Sequence, residues 1–221
     1  MSLAHFFVVF IAIHAVSGMI SLVAGTISVI AKKGGEIHKK SGKIFFYGMM
    51  LAGGSGIAAS VLPGHYNLFL FVVGLFSFYL VLSGYRALNF TKVKTRAQLR
   101  PDIILAWVMI IVAILMISFG SYVLIKIDTI GIVLLIFGAI AFLNGYNDLK
   151  AFKDLKTLRK KAIRLHIGKI SGGYIAAFTA FLVTNAVLPS LLGWLLPTVF
   201  GTVFITYWLR KTRIKKKRVT S

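Results

Sequence analysis

Seven stretches of the chain are apolar for long enough to cross a bilayer as helices: roughly 4–31, 43–62, 68–88, 103–125, 130–147, 167–187 and 191–209. About 20 apolar residues at 1.5 Å rise span the ~30 Å of membrane hydrocarbon. The polar residues between these runs are placed unevenly. Residues 32–43 carry Lys32, Lys33, Lys39, Lys40 and Lys43, and residues 86–100 carry Arg86, Lys92, Lys94, Arg96 and Arg100. Residues 150–169 hold eight basic groups and residues 210–218 hold seven. The alternate connections are short, and Lys126 is the one Lys or Arg in them. Basic residues concentrate in cytoplasmic loops. The pattern therefore predicts an all-α integral membrane bundle of seven transmembrane helices, N-terminus outside and C-terminus cytoplasmic. Residues 1–209 form the seven-helix domain and 210–221 a basic cytoplasmic tail.

Details of the pattern refine this reading. The first apolar run has no basic n-region before it and no small-residue cleavage site after it, so it is expected to be a transmembrane helix and not a removed signal. Pro197 should kink the seventh helix, with neighbours satisfying the freed carbonyl. Asp148 to His166 is basic and amphipathic, predicting cytoplasmic extensions of helices five and six that lie against headgroups. Tyr66, Tyr122 and Trp194 at one end, with Tyr85, Tyr146, Tyr207 and Trp208 at the other, fit aromatic belts.

Composition narrows the function classes. Hydrophobic residues make up 58% of the chain and charged residues 14%, with a net charge of +21. A basic balance of this size suggests nucleic acid in a soluble domain. Here the cations flank apolar spans and form no domain of their own, so the expected partner is the anionic headgroup layer on the cytoplasmic side, and no nucleic acid. The chain has no cysteine, which excludes disulfides, thiolate catalysis and Cys-ligated metals.

Intramembrane polar residues are functional candidates by default. No acidic or basic residue is expected near the middle of any span. Asp102 and Asp148 fall at the cytoplasmic edge, which weighs against a cation- or proton-coupled carrier. His14 lies about ten residues into the first helix, with Ser17, Gly18, Ser21, Gly25 and Ser28 on its face at helical spacing. Small residues of this kind let helices pack closely, so His14 is expected to face the bundle. His38 and His166 are each expected to open a helix at the cytoplasmic interface. Gly42, Phe45, Met49, Ala52 and Gly56 follow on the face of His38; Ile170, Gly173, Ala177, Ala180 and Thr184 follow on that of His166. A pair of histidines above small-residue faces leaves room for a flat cofactor such as haem b, which takes two imidazoles axially. Lys39, Lys40 and Arg164 are candidates to meet its propionates. The plainer reading is that both histidines are interfacial residues helping to hold headgroups. His5 and His65 lie at the outer edge, and no H-x-x-x-H spacing supports a zinc site.

The motif His14-x-x-x-Gly18, Leu22, Gly25, Lys33-Gly34, His38, Gly42, the segment Ser83-Gly84-Tyr85-Arg86, and the run from His166-Ile167 through Gly173-Tyr174-Ile175-Ala176-Ala177 to Thr179-Ala180-Phe181 resemble an uncharacterised family of multi-pass bacterial membrane proteins, known only as a domain of unknown function. The resemblance covers most of the chain. It implies a bacterial plasma (inner) membrane and points to His14, His38, Arg86 and His166 as the residues to test. Three classes stay open: a haem-binding or redox-associated protein using His38 and His166; a small-solute carrier or channel with His14 on its path; and a non-catalytic assembly partner of a membrane complex.

Overall fold

The computed structural model describes residues 3–126, 130–187 and 190–212. It is all-helical over these residues: α1 (Leu3–Ile30), α2 (Glu36–Ser60), α3 (Leu68–Arg86), α4 (Arg100–Ile125), α5 (Ile130–Ala151), α6 (Leu155–Thr184) and α7 (Ser190–Lys211). Two 3-10 turns, Ala87–Lys92 and Arg96–Leu99, join α3 to α4. The expected links at Ile127-Asp128-Thr129 and Leu188-Pro189, the basic residues Arg213 to Arg218 and the side chain of Trp194 lie outside the described residues.

Among the described residues, five helices are long and apolar enough to cross a membrane: α1, α4, α5 and α6, and α3 together with the turn after it. The composition of α2 has a packing reason. Its second half is crowded with Gly48, Gly53, Gly54, Ser55, Gly56, Ala58 and Ala59, and ten of its residues are buried. It runs between α1 and α3, where close helix contact takes the place of lipid and small residues are what close contact requires. In contrast, α1 exposes Val8, Val16, Ile20, Val23 and Ile27 and buries only Ser17, Ser21, Ala24 and Gly25. One side of α1 is thus a large-residue apolar surface and the other a seam of small residues.

Packing follows chain order for α1–α2–α3 and for the α4–α5 hairpin, and α6 joins the two groups. It lies against α3 and α7 and also reaches α1 and α5. α7 runs on through Pro197 and rests mainly on α6.

The basic ends of these helices depart from expectation. α6 starts at Leu155, capped by Asp154, whose carboxylate accepts from the backbone N–H of Lys156 and Thr157. His166 therefore lies eleven residues inside a helix instead of opening one, and Lys169 belongs to a helix instead of a loop. The apolar side of residues 148–166 is covered by protein. Phe152, Leu158 and Ala162 pack with Ala87, Phe90, Val93 and Leu99 of the α3–α4 connection, so this face does not lie on headgroups. The Phe90 and Phe152 rings meet edge to face at 5.7 Å. The connection, residues 87–99, supplies this cover by directing four apolar side chains inward, three of them from its two 3-10 turns.

Candidate functional site

At the basic end of the bundle, α1, α2, α3, α6 and α7 enclose a cavity of about 580 Å³, within the usual range for cofactor pockets. His38 and His166 both line it. The His38 Nδ1 lies 3.0 Å from the Ser28 carbonyl oxygen and 3.0 Å from the Ser28 hydroxyl. The His166 Nδ1 lies 2.9 Å from the Gly84 carbonyl oxygen. A carbonyl can only accept, so each Nδ1 carries a proton, and in the neutral imidazole each Nε2 keeps its lone pair. Neither Nε2 has a hydrogen-bond partner among the described residues. This is the tautomer that a metal-binding imidazole adopts when a second group orients the ring.

Local sequence explains both arrangements. The turn Lys32–Gly35 reverses the chain, with Gly34 at φ +78°, a left-handed conformation that glycine adopts without strain. α2 then runs back along α1, bringing His38 beside Ser28. On the other side, Gly84 has no side chain to hold α3 and α6 apart: a methyl group there would meet Lys169 Cβ at 2.9 Å and the Ile170 nitrogen at 3.0 Å. The close approach presents the Gly84 carbonyl to His166.

The cavity walls are aromatic and basic. Phe45, Tyr85, Tyr174 and Trp208 line it, with Ile163, Ile167 and Ile170 from α6. Tyr85 stacks on Phe46 with centroids 3.9 Å apart. Tyr85 and Trp208, expected in an aromatic belt, are instead turned toward this space, while Tyr146 and Tyr207 are exposed. Lys33, Lys39 and Lys43 also line the cavity. Lys33 is held at the α1 C-terminus, donating to the Ser28 carbonyl at 3.0 Å and to the Val29 carbonyl, with Trp208 below it at 5.3 Å. Partial burial pushes its ammonium below the ordinary lysine range.

The other basic candidates are engaged elsewhere. Lys40 pairs with Glu36 at 2.7 Å on the surface, and Arg164 donates to the Leu209 carbonyl at 2.8 Å, tying α7 to α6. Arg86 forms a two-pronged bond to Asp102, Nε to Oδ1 at 2.6 Å and Nη2 to Oδ2 at 2.8 Å; it does not line the cavity. His14 lies away from the cavity, its Nδ1 2.8 Å from the Ala52 carbonyl, in a space that a methyl group on Gly56 would fill. His65 stacks on Phe7 at 3.6 Å. Among the described residues no three His, Asp or Glu side chains converge.

A second polar cluster escapes a reading by sequence. Lys169 and Asp148 are both buried and pair at 2.6 Å. Tyr79 donates to the same carboxylate oxygen at 2.6 Å, and Lys169 also reaches the Tyr79 and Ser83 hydroxyls at 3.1 Å. The sequence placed Asp148 at the cytoplasmic edge and Lys169 in a basic connection; in the structure both are buried and paired with each other. Two signals were available: Lys169 stands three residues after His166 in an otherwise apolar run, and Asp148 closes the α5 run.

Comparison of the chain with family models, with curated proteins and with solved structures finds no match.

Proposed function

We propose that this is a haem-binding membrane protein in which His38 of α2 and His166 of α6 are the two axial ligands. The observation that carries the reading is their meeting at one cavity, each with Nδ1 satisfied by a backbone carbonyl and Nε2 left with a free lone pair. Ser28 and Gly84 hold the rings in place, so ligand orientation comes from backbone geometry and needs no carboxylate. Phe45, Tyr85, Tyr174 and Trp208 offer flat surfaces to a macrocycle, and Lys33, Lys39 and Lys43 offer charge to its propionates. Held by these residues, haem b would supply one-electron chemistry. Burial and the ring nitrogen partners set its potential.

The frame for this site is a seven-span bundle, N-terminus outside and C-terminus cytoplasmic, in a bacterial plasma membrane. The one-sided distribution of Lys and Arg over short connections supports the orientation, and the resemblance of the His14–Gly42 and His166–Phe181 motifs supports the compartment. The basic ends then meet the anionic leaflet. A path for a small solute past His14 is the weaker reading, because His14 lines neither of the two cavities described here.

Absorption spectroscopy of protein purified from haem-sufficient cells tests the proposal. The expected result is a Soret band with low-spin features. His38→Ala and His166→Ala each abolish them, and the double variant is no worse than either single because the two act as a unit. His14→Leu leaves the spectrum unchanged. A spectrum without a Soret band, or one untouched by His38→Ala, overturns the reading.

A further inference from the structure

A second cavity of about 440 Å³ lies between α6 and α7. Val29, Ser171, Tyr174 and Phe204 line both this cavity and the histidine cavity, so the two adjoin. We propose that it holds the tail of a lipid-soluble quinone, whose head sits at the junction beside Ser171 and Tyr174.

Length, polarity and hydrogen bonding support that occupant. The α6 wall runs from Ser171 to Leu182, twelve residues or ~16 Å of helix, which is about half of the ~30 Å of hydrocarbon in a bilayer. The cavity thus has the length of a tail lying in one leaflet. Among the described residues no charged side chain lines it, as an apolar tail requires; the charges nearest its open end, Lys33, Lys39 and Lys43, line the adjoining histidine cavity. Its only side-chain hydroxyls among the described residues are Ser171 and Tyr174, and both also line the histidine cavity.

Each hydroxyl has spare capacity. Ser17, Ser21, Ser41, Ser55, Ser83 and Ser121 bond back to the carbonyl four residues earlier. Ser171 makes no hydrogen bond among the described residues, so its hydroxyl is free to donate. Thr26 donates its proton to the Leu22 carbonyl at 2.8 Å, so at the 2.6 Å contact Tyr174 is the donor to Thr26. The phenol oxygen of Tyr174 is left as an acceptor. One donor and one acceptor side by side suit an oxygen that alternates between carbonyl and hydroxyl, as a quinone and its quinol do.

The choice of a quinone over other neutral-headed lipids rests on the redox reading of the adjacent histidine cavity; the tail site does not. The test uses the full chain in nanodiscs of a zwitterionic phospholipid, titrated with an isoprenoid-tailed benzoquinone and with its tail-less head. Bound quinone is measured in excess of empty discs. The tailed compound should saturate at one per chain and the tail-less head should bind at least tenfold more weakly. Ser171→Ala should weaken the tailed compound several-fold, and Leu182→Trp, which fills the end farthest from the histidines, at least tenfold. No saturable binding above empty discs, extraction of phospholipid alone, or binding unmoved by both variants overturns the proposal. Saturable binding to a chain without a Soret band sinks the haem reading and leaves the tail site standing. A Soret band without quinone binding does the reverse.

Discussion

Asp148 and Lys169 show how much a single side chain can cost or contribute at depth. Each is buried, and each is the other's main compensation. Removing one partner leaves an unpaired charge, whereas removing both leaves an apolar contact. Asp148→Leu alone or Lys169→Met alone is expected to destabilise the protein by ~3–5 kcal/mol, and the double variant to recover most of that loss. Denaturant titration in mixed micelles measures it; equal costs for the singles and the double would remove the pairing argument. Asp154 acts differently, at the exposed start of α6. The Thr157 hydroxyl, followed by backbone N–H groups, holds its carboxyl below the ordinary aspartate range. A lowered folded value means that the cap contributes above the unfolded pKa of ~3.9 and is lost as pH falls through the folded value. Amide-exchange protection of the first turn of α6 should therefore fall in acid below that range. Asp154→Asn should keep protection without the pH dependence.

Between elements, glycine decides spacing. α3 and α6 approach closely at Gly84, and the same approach gives His166 its carbonyl partner. Gly84→Ala is expected to cost ~1–3 kcal/mol by overpacking, and to disturb His166 along with it. If haem binds as proposed, the low-spin spectrum of Gly84→Ala should weaken while His38 is untouched, a split between two ligands that global destabilisation would not produce. The α2 stripe behaves likewise at Gly56, which leaves room for the His14 ring. α7 has a looser tie: it rests on α6 and is clipped by Arg164 at Leu209 and by Lys33 over Trp208. It is thus the element whose movement would open both cavities with least loss of packing.

For the whole molecule the charge pattern predicts an orientation. Twenty-five of 26 Lys and Arg residues fall in four segments, and of those the structure describes Lys169 is buried well inside a helix. Reporter fusions at residue 95 and at the C-terminus should read cytoplasmic, and a fusion at residue 65 should read external. A cytoplasmic reading at 65 would overturn the orientation and move the histidine cavity to the outer face. The two-cavity arrangement does not depend on that outcome, since it follows from helix packing alone.

Hydropathy along the chain was enough to place seven helices, because apolar runs of this length have little alternative to helix in a bilayer. Their starts were less legible. Residues 155–166 are basic and amphipathic, a pattern shared by a headgroup-bound segment and by a helix covered by another piece of protein. Only the Phe90 and Val93 cover distinguishes the two. His38 and His166 could be singled out from residue type and the small residues near them. Their sharing of one site could be expected on the same ground; the Ser28 and Gly84 carbonyls that orient the two rings could not. Tyr85 and Trp208 read as belt residues because lipid and a neighbouring helix are equally apolar, so local pattern does not tell which one a side chain meets. For the same reason local pattern did not show that Arg86 pairs with Asp102 or that Lys169 is buried against Asp148. The chain by itself determined helix number and charge asymmetry, which depend on residues near one another in sequence. The tertiary structure decided which polar groups find partners, because those partners stand from 10 residues apart (His38 and Ser28) to 148 (Tyr174 and Thr26) and only packing brings them together.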